Sequence, residues 1–189
     1  DAIGFASAHL LGYSMGGRLA LYTALTYPER IKRLILESAS PGLKTAAERE
    51  ARIASDEALA ARIETEGIPA FADYWTSLSL FATQSPETRQ RLHDQRLHNS
   101  PHGLANSLRG MGTGAQPSLW QRLGELALPT LLLCGALDTK FAAINAEMHS
   151  LIPASKLVTV PGAGHTIHAE QSGIFQAEVL RFLNASSTG

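Results

Sequence analysis

Apolar residues follow two rhythms along this chain, short continuous runs and helical spacing, and the switch between them divides it. Runs at Ala8–Tyr13, Ile31–Glu37, Pro129–Cys134 and Lys156–Val160 read as strands. The third is apolar throughout, as expected of a parallel strand buried on both faces. Asp1–Phe5 reads as the tail of a helix ended at Gly4. Leu19, Ala20, Tyr22, Thr23 and Leu25 keep a helical pattern until Pro28 stops it. Ser38–Gly42 is then a loop of small residues closed by a Pro-Gly pair.

From Leu43 to about Leu126 the strand pattern disappears, and arginine, glutamate and alanine recur at helical spacing. The spacing predicts helices over 45–54, 56–66, 69–78, 86–98, 101–112 and 117–125. Gly67-Ile68-Pro69 and Ser85-Pro86 mark boundaries, and Asp56 and Ser118 are candidate caps. Strand–helix alternation resumes at Leu128, a last amphipathic helix covers 168–183, and Asn184–Gly189 reads as a frayed tail. The expected organisation is therefore an α/β core in two segments, 1–42 and 127–189, with 43–126 inserted as a helical lid. Lids shape pockets and exclude water.

The first strand runs into Gly12-Tyr13-Ser14-Met15-Gly16, a G-x-S-x-G segment between strand and helix. That is the setting of a nucleophile elbow, in which a strained turn lifts a serine hydroxyl into the open. Gly12 and Gly16 are expected to be needed there, because a side chain would crowd the turn. A plain glycine-rich strand–helix turn is the alternative. A reactive serine needs a histidine to take its proton and an acid to orient that histidine. Asp138 follows the third strand in Gly135-Ala136-Leu137-Asp138, and His165 follows the fourth in Pro161-Gly162-Ala163-Gly164-His165. Both therefore lie beyond the carboxyl ends of strands, where open α/β sheets bind ligands. Alone, each would read as a turn aspartate and a loop histidine; in this order and context the three form a candidate triad.

Composition narrows the reading further. The 189 residues are 44% apolar and 17% charged, which fits a globular domain with a sizeable core. The net charge of −1 gives no reason to expect nucleic acid or an anionic membrane as partner. No apolar run approaches the roughly 18 residues of a membrane span. Cys134 is the one cysteine, cannot form an internal disulfide and lies in a predicted buried strand. A reducing cytoplasm is compatible with this and is the expected location. The histidines show no metal-binding spacing, His168 beside His165 included, so neither metal nor cofactor is expected.

With these elements placed, the chain resembles the α/β-hydrolase fold, and more closely the 2-succinyl-6-hydroxy-2,4-cyclohexadiene-1-carboxylate synthases of menaquinone biosynthesis. The segments that carry the resemblance are Gly12–Arg18, Glu37–Leu43, Glu50–Asp56, Phe71–Trp75, Arg109–Gln116, Gly135–Phe141 and Gly162–His168. The fold class implied is the C-terminal part of an α/β-hydrolase fold, a mostly parallel sheet with an inserted helical lid. The activity implied is a lyase that removes a ring proton and expels the enolpyruvyl group as pyruvate. Its substrate carries several carboxylates, which arginine binds through a bidentate fork.

Arg18 stands four residues after Ser14, on the same helix face one turn along. A cation there opposes the helix dipole, a cost easier to understand if a substrate anion lies between them. A solvated or carboxylate-paired arginine is the alternative. Arg52 and Arg96 match the family's carboxylate-binding arginines, although spacing alone would put each on a solvated face. Trp75 or Tyr74 is a candidate pocket wall or a core aromatic, and Tyr13 and Met15 flank the serine as candidate substrate contacts. Two other readings stay open, a serine esterase or carbon–carbon bond hydrolase and a non-catalytic binding module. Only 13 residues precede Ser14, and they hold no His-Gly segment to complete an oxyanion hole with the Met15 N–H. The elbow strand is expected mid-sheet, so a missing N-terminal segment of the same protein is expected to complete the sheet.

Overall fold

The structure, a computed structural model, describes residues 4–185. The expectations for Asp1–Ile3 and Ser186–Gly189 lie outside the described residues. In chain order the main elements are β1 (Ala8–Tyr13), α1 (Ser14–Thr26), β2 (Ile31–Glu37), α2 (Ala46–Ser77), α3 (Pro86–Arg96) and α4 (Pro101–Met111). They continue with β3 (Thr130–Gly135), α5 (Thr139–Leu151), β4 (Ser155–Val160), α6 (Ile167–Glu170) and α7 (Ser172–Asn184). Two compact units result, one of Asp1–Pro41 with Gln121–Gly189, the other of Gly42–Trp120. Among the described residues no helix is long and apolar enough to cross a membrane.

The first unit is built on a parallel sheet in the order β1-β2-β3-β4. Parallel strands need crossovers, and α1 and α5 supply two of them. β2 and β3 are the inner strands; β3 is buried end to end and β2 from Arg33 onward, which is why Leu34–Leu36 and Leu131–Cys134 read as apolar runs. Ile35, Leu131, Leu133, Val160, Ala163 and Ile167 form a core against which Phe175, Val179 and Phe182 of α7 pack. Arg33 ties down the end of α7 by donating to the Phe182 and Ala185 carbonyls. The parallel register sets Tyr13 beside Glu37, so the ends of β1 and β2 are neighbours. Among the described residues β1 pairs only with β2, so its other edge carries no strand, as expected of these residues by themselves.

The second unit is helical. Thr45 caps α2 in a reciprocal capping box with Glu48, whose carboxyl is held below its ordinary value by Thr45's backbone N–H and hydroxyl. Three predicted helices are merged in α2. Its only break is Gly67, whose φ of +82° is left-handed, and Pro69 fits just beyond it because the helix restarts there. Asp56 is therefore no cap: it lies inside α2, and its carboxylate takes the Arg52 Nε–H at 2.7 Å. Ser118 caps nothing either, since a 3-10 segment begins only at Trp120. Ala60, Ile63, Ile68, Phe71, Ala105 and Leu108 form this unit's core between α2 and α4. The predicted final helix is also broken, because Gln171 (φ −136°, ψ 54°) separates α6 from α7.

Candidate active site

Ser14 is the first residue of α1 and has φ +49°, a left-handed conformation costing a non-glycine residue on the order of 1–3 kcal/mol. The turn closes because helix and strand backbones nearly touch. A Cβ on Gly12 would lie 2.5 Å from the Gly16 carbonyl oxygen, and one on Gly17 would lie 2.5 Å from the Ala39 Cβ. A Cβ on Gly16 meets nothing within 4 Å. The steric need expected of Gly12 holds, but its partner is Gly17; Gly16 contributes its backbone and not its missing side chain.

Asp138 does two jobs at the end of β3. Its Oδ1 accepts the Phe141 N–H at 3.2 Å and caps α5, while Oδ2 accepts from His165 Nδ1 at 2.7 Å. Gly135 has no room for a side chain, because a Cβ would run into the carbonyls of Ala163 and Gly164. The acid and histidine loops are joined as well by Ala136 N–H to the Val160 carbonyl and Leu137 N–H to the Ala163 carbonyl, both at 2.9 Å. Asn145, fully buried in α5, donates to the Ala39 carbonyl at 3.2 Å and steadies the loop after β2.

His165 is buried, with Nε2 3.0 Å from Ser14 Oγ. An ionised carboxylate only accepts, so Nδ1 carries the proton and Nε2 is left to accept from the serine hydroxyl. The Phe141 and Tyr13 rings pack on the imidazole with centroids at 4.6 and 5.4 Å. Glu170 holds both neighbours of His165, accepting the Gly164 N–H at 2.9 Å, the Thr166 N–H at 3.0 Å and the Thr166 hydroxyl at 2.7 Å. Proton transfer from Ser14 to His165, with Asp138 holding the imidazolium, is the chemistry this arrangement allows.

The structure thus brings Ser14, Asp138, His165 and Tyr13 together. Met15 follows in the first turn of α1, where backbone N–H groups have no intrahelical partner. Arg18 is buried, which excludes a solvated surface role. Arg52, Trp75 and Arg96 lie in the second unit. There Arg52 pairs with Asp56, Arg96 donates to Thr76 Oγ1 at 3.2 Å over the Phe81 ring, and Trp75 packs beside Phe71 and Phe81. Tyr74 is exposed beneath the Arg62 guanidinium. Burial pushes the Cys134 thiol up from its ordinary value, as befits a packing residue. Sequence reasoning missed Gly17, Phe141, Glu170 and Glu37. Glu37 had one visible signal, a carboxylate closing the apolar run Leu34–Leu36 in the strand next to the serine's own.

Residues 1–172 match the family described as the alpha/beta hydrolase fold. A relative in Bacillus subtilis (strain 168), carrying the name 2-succinyl-6-hydroxy-2,4-cyclohexadiene-1-carboxylate synthase in provisional form, is 50% identical over 188 residues, or 98% of this chain and 69% of that protein. The synthase of that name in Serratia proteamaculans (strain 568) is 38% identical over 92% of this chain and 67% of its own. A solved structure described as MenH from S. aureus superposes with a TM-score of 0.91 at 44% identity, covering 94% of this chain and 68% of that one.

Proposed function

The chain belongs to the α/β-hydrolase family and, within it, to the 2-succinyl-6-hydroxy-2,4-cyclohexadiene-1-carboxylate synthases, and we propose that it is a lyase of menaquinone biosynthesis. Its substrate is 2-succinyl-5-enolpyruvyl-6-hydroxy-3-cyclohexene-1-carboxylate. Ser14 passes its proton to His165 Nε2 as its oxygen takes a proton from the cyclohexene ring. The C–H electrons move into the ring diene and the carbon–oxygen bond to the enolpyruvyl group breaks. His165 returns its proton to the departing oxygen, and the enol becomes pyruvate. The elimination is redox-neutral and adds no water, so proton transfer is the chemistry the chain must supply.

The observation that carries this reading is the Ser14–His165 distance of 3.0 Å backed by Asp138 at 2.7 Å, in a chain 50% identical to a protein of that name. A buried Arg18 one turn from the serine supports a substrate rich in carboxylates, since a guanidinium forks onto a carboxylate with two parallel hydrogen bonds. Arg52 and Arg96 are proposed as further carboxylate contacts, and Tyr13, Met15 and Trp75 as lining, on the family resemblance.

The test offers the protein the enolpyruvyl substrate and a neutral short-chain aryl ester side by side. Pyruvate release with little ester turnover is expected. Rapid ester turnover without pyruvate would replace the lyase by an esterase.

A further inference from the structure

Beside the triad lies a second carboxylate–histidine pair that the reaction does not use directly. Glu37 ends β2, is 1% exposed and stands in register with Tyr13. A buried carboxylate is costly unless it is fully hydrogen-bonded. Every hydrogen bond that reaches it among the described residues comes from His168: the backbone N–H at 3.0 Å and ring Nδ1 at 2.9 Å from each carboxylate oxygen. The accepting carboxylate fixes the ring with its proton on Nδ1, as Asp138 does for His165. So held, the His168 ring sets its edge against the Tyr13 ring at 4.9 Å, with Phe175 behind at 6.0 Å. Tyr13 precedes Ser14 in the chain, and its ring packs on His165. Glu170 pins the backbone on either side of His165, and the His168 ring packs on the Tyr13 ring.

We propose that Glu37 and His168 are positioning residues which, through Tyr13, keep His165 and Ser14 in register for proton transfer. The role rests on Ser14 being the reactive group, as read above. Misplacing reacting groups by about 1 Å can cost on the order of a hundredfold in rate, whereas substrate affinity need not change.

The test compares the full chain with three variants. His168→Phe keeps a ring against Tyr13 and loses the donor. Glu37→Leu/His168→Phe also removes the stranded carboxylate, so its stability should return toward wild type. His168→Asn restores a donor where Nδ1 stood. Each is assayed for kcat and KM of pyruvate release and for the rate of Ser14 labelling by a fluorophosphonate. In labelling, the serine oxygen bonds to phosphorus, fluoride leaves and the serine proton passes to His165. His168→Phe and the double variant should lose at least about tenfold in labelling and in kcat, with KM unchanged, and His168→Asn should recover part of the loss. A stable double variant that labels at the wild-type rate would overturn the positioning role, as would a fall in its melting temperature with kcat intact. Labelling needs no substrate, so a wild type that labels but releases no pyruvate would overturn the lyase reading alone.

Discussion

Asp138 shows how much one side chain settles at this site. One carboxylate oxygen starts α5 and the other orients His165, so the helix that follows β3 fixes the acid before any substrate is present. Arg18 invites the sharpest substitution. Arg18→Ala should weaken binding or turnover of the polycarboxylate with much less effect on a neutral ester, and lysine should rescue only part, having charge but no fork. Equal losses on both substrates, measured as kcat/KM, would make the arginine structural. At this scale the sequence was legible where a residue type has one purpose in its setting: Ser14, Asp138 and His165 could each be named from a motif and a strand end. It misled where the motif letter and the steric need differ. Gly16 completes the motif, yet the crowding falls on Gly17. Gly17→Ala should therefore cost about 1–3 kcal/mol and misplace the elbow, while Gly16→Ala should be neutral or stabilise by up to about 1 kcal/mol. Thermal melts of the two variants decide it.

Among elements, the strands were readable and the long helix was not. A buried parallel strand announces itself as an unbroken apolar run, and all four strands fall within a residue or two of their expected bounds. The boundary expected at Asp56 failed because Asp56 is a good capping residue by type, but an arginine one turn earlier satisfies its carboxylate inside the helix, whereas the boundary expected at Gly67-Ile68-Pro69 coincides with the kink. Gly67 marks the real kink, and Gly67→Ala should destabilise the second unit by about 1 kcal/mol or more, since φ +82° strains any side chain. Arg109 on α4 forks onto Glu57 and Glu64 of α2 and holds both carboxyls below their ordinary value of 4.5. A carboxyl with a lowered folded pKa adds stability above its unfolded pKa and loses it as pH falls through the folded one. Acid below about pH 4.5 should thus loosen α4 from α2, and Arg109→Ala should flatten that dependence in amide exchange.

For the whole molecule, four parallel strands order the chemistry: the serine follows β1, Glu37 ends β2, the acid follows β3 and the histidine follows β4. All four groups emerge at the carboxyl ends of strands, where open α/β sheets place their sites. The order of serine, acid and histidine was legible because each follows its strand in sequence. Glu37 and His168 were not, because their pairing joins residues 131 apart through a sheet register that no local pattern displays. The central claim is that Ser14, activated by His165 and Asp138, removes a proton from a carbon acid. It is tested most directly by the pyruvate-release kcat of Ser14→Ala, with substrate binding measured on the same preparation. Turnover should fall by at least about 10²–10⁴-fold while the substrate still binds. A Ser14→Ala protein that releases pyruvate at near the wild-type rate would contradict the account.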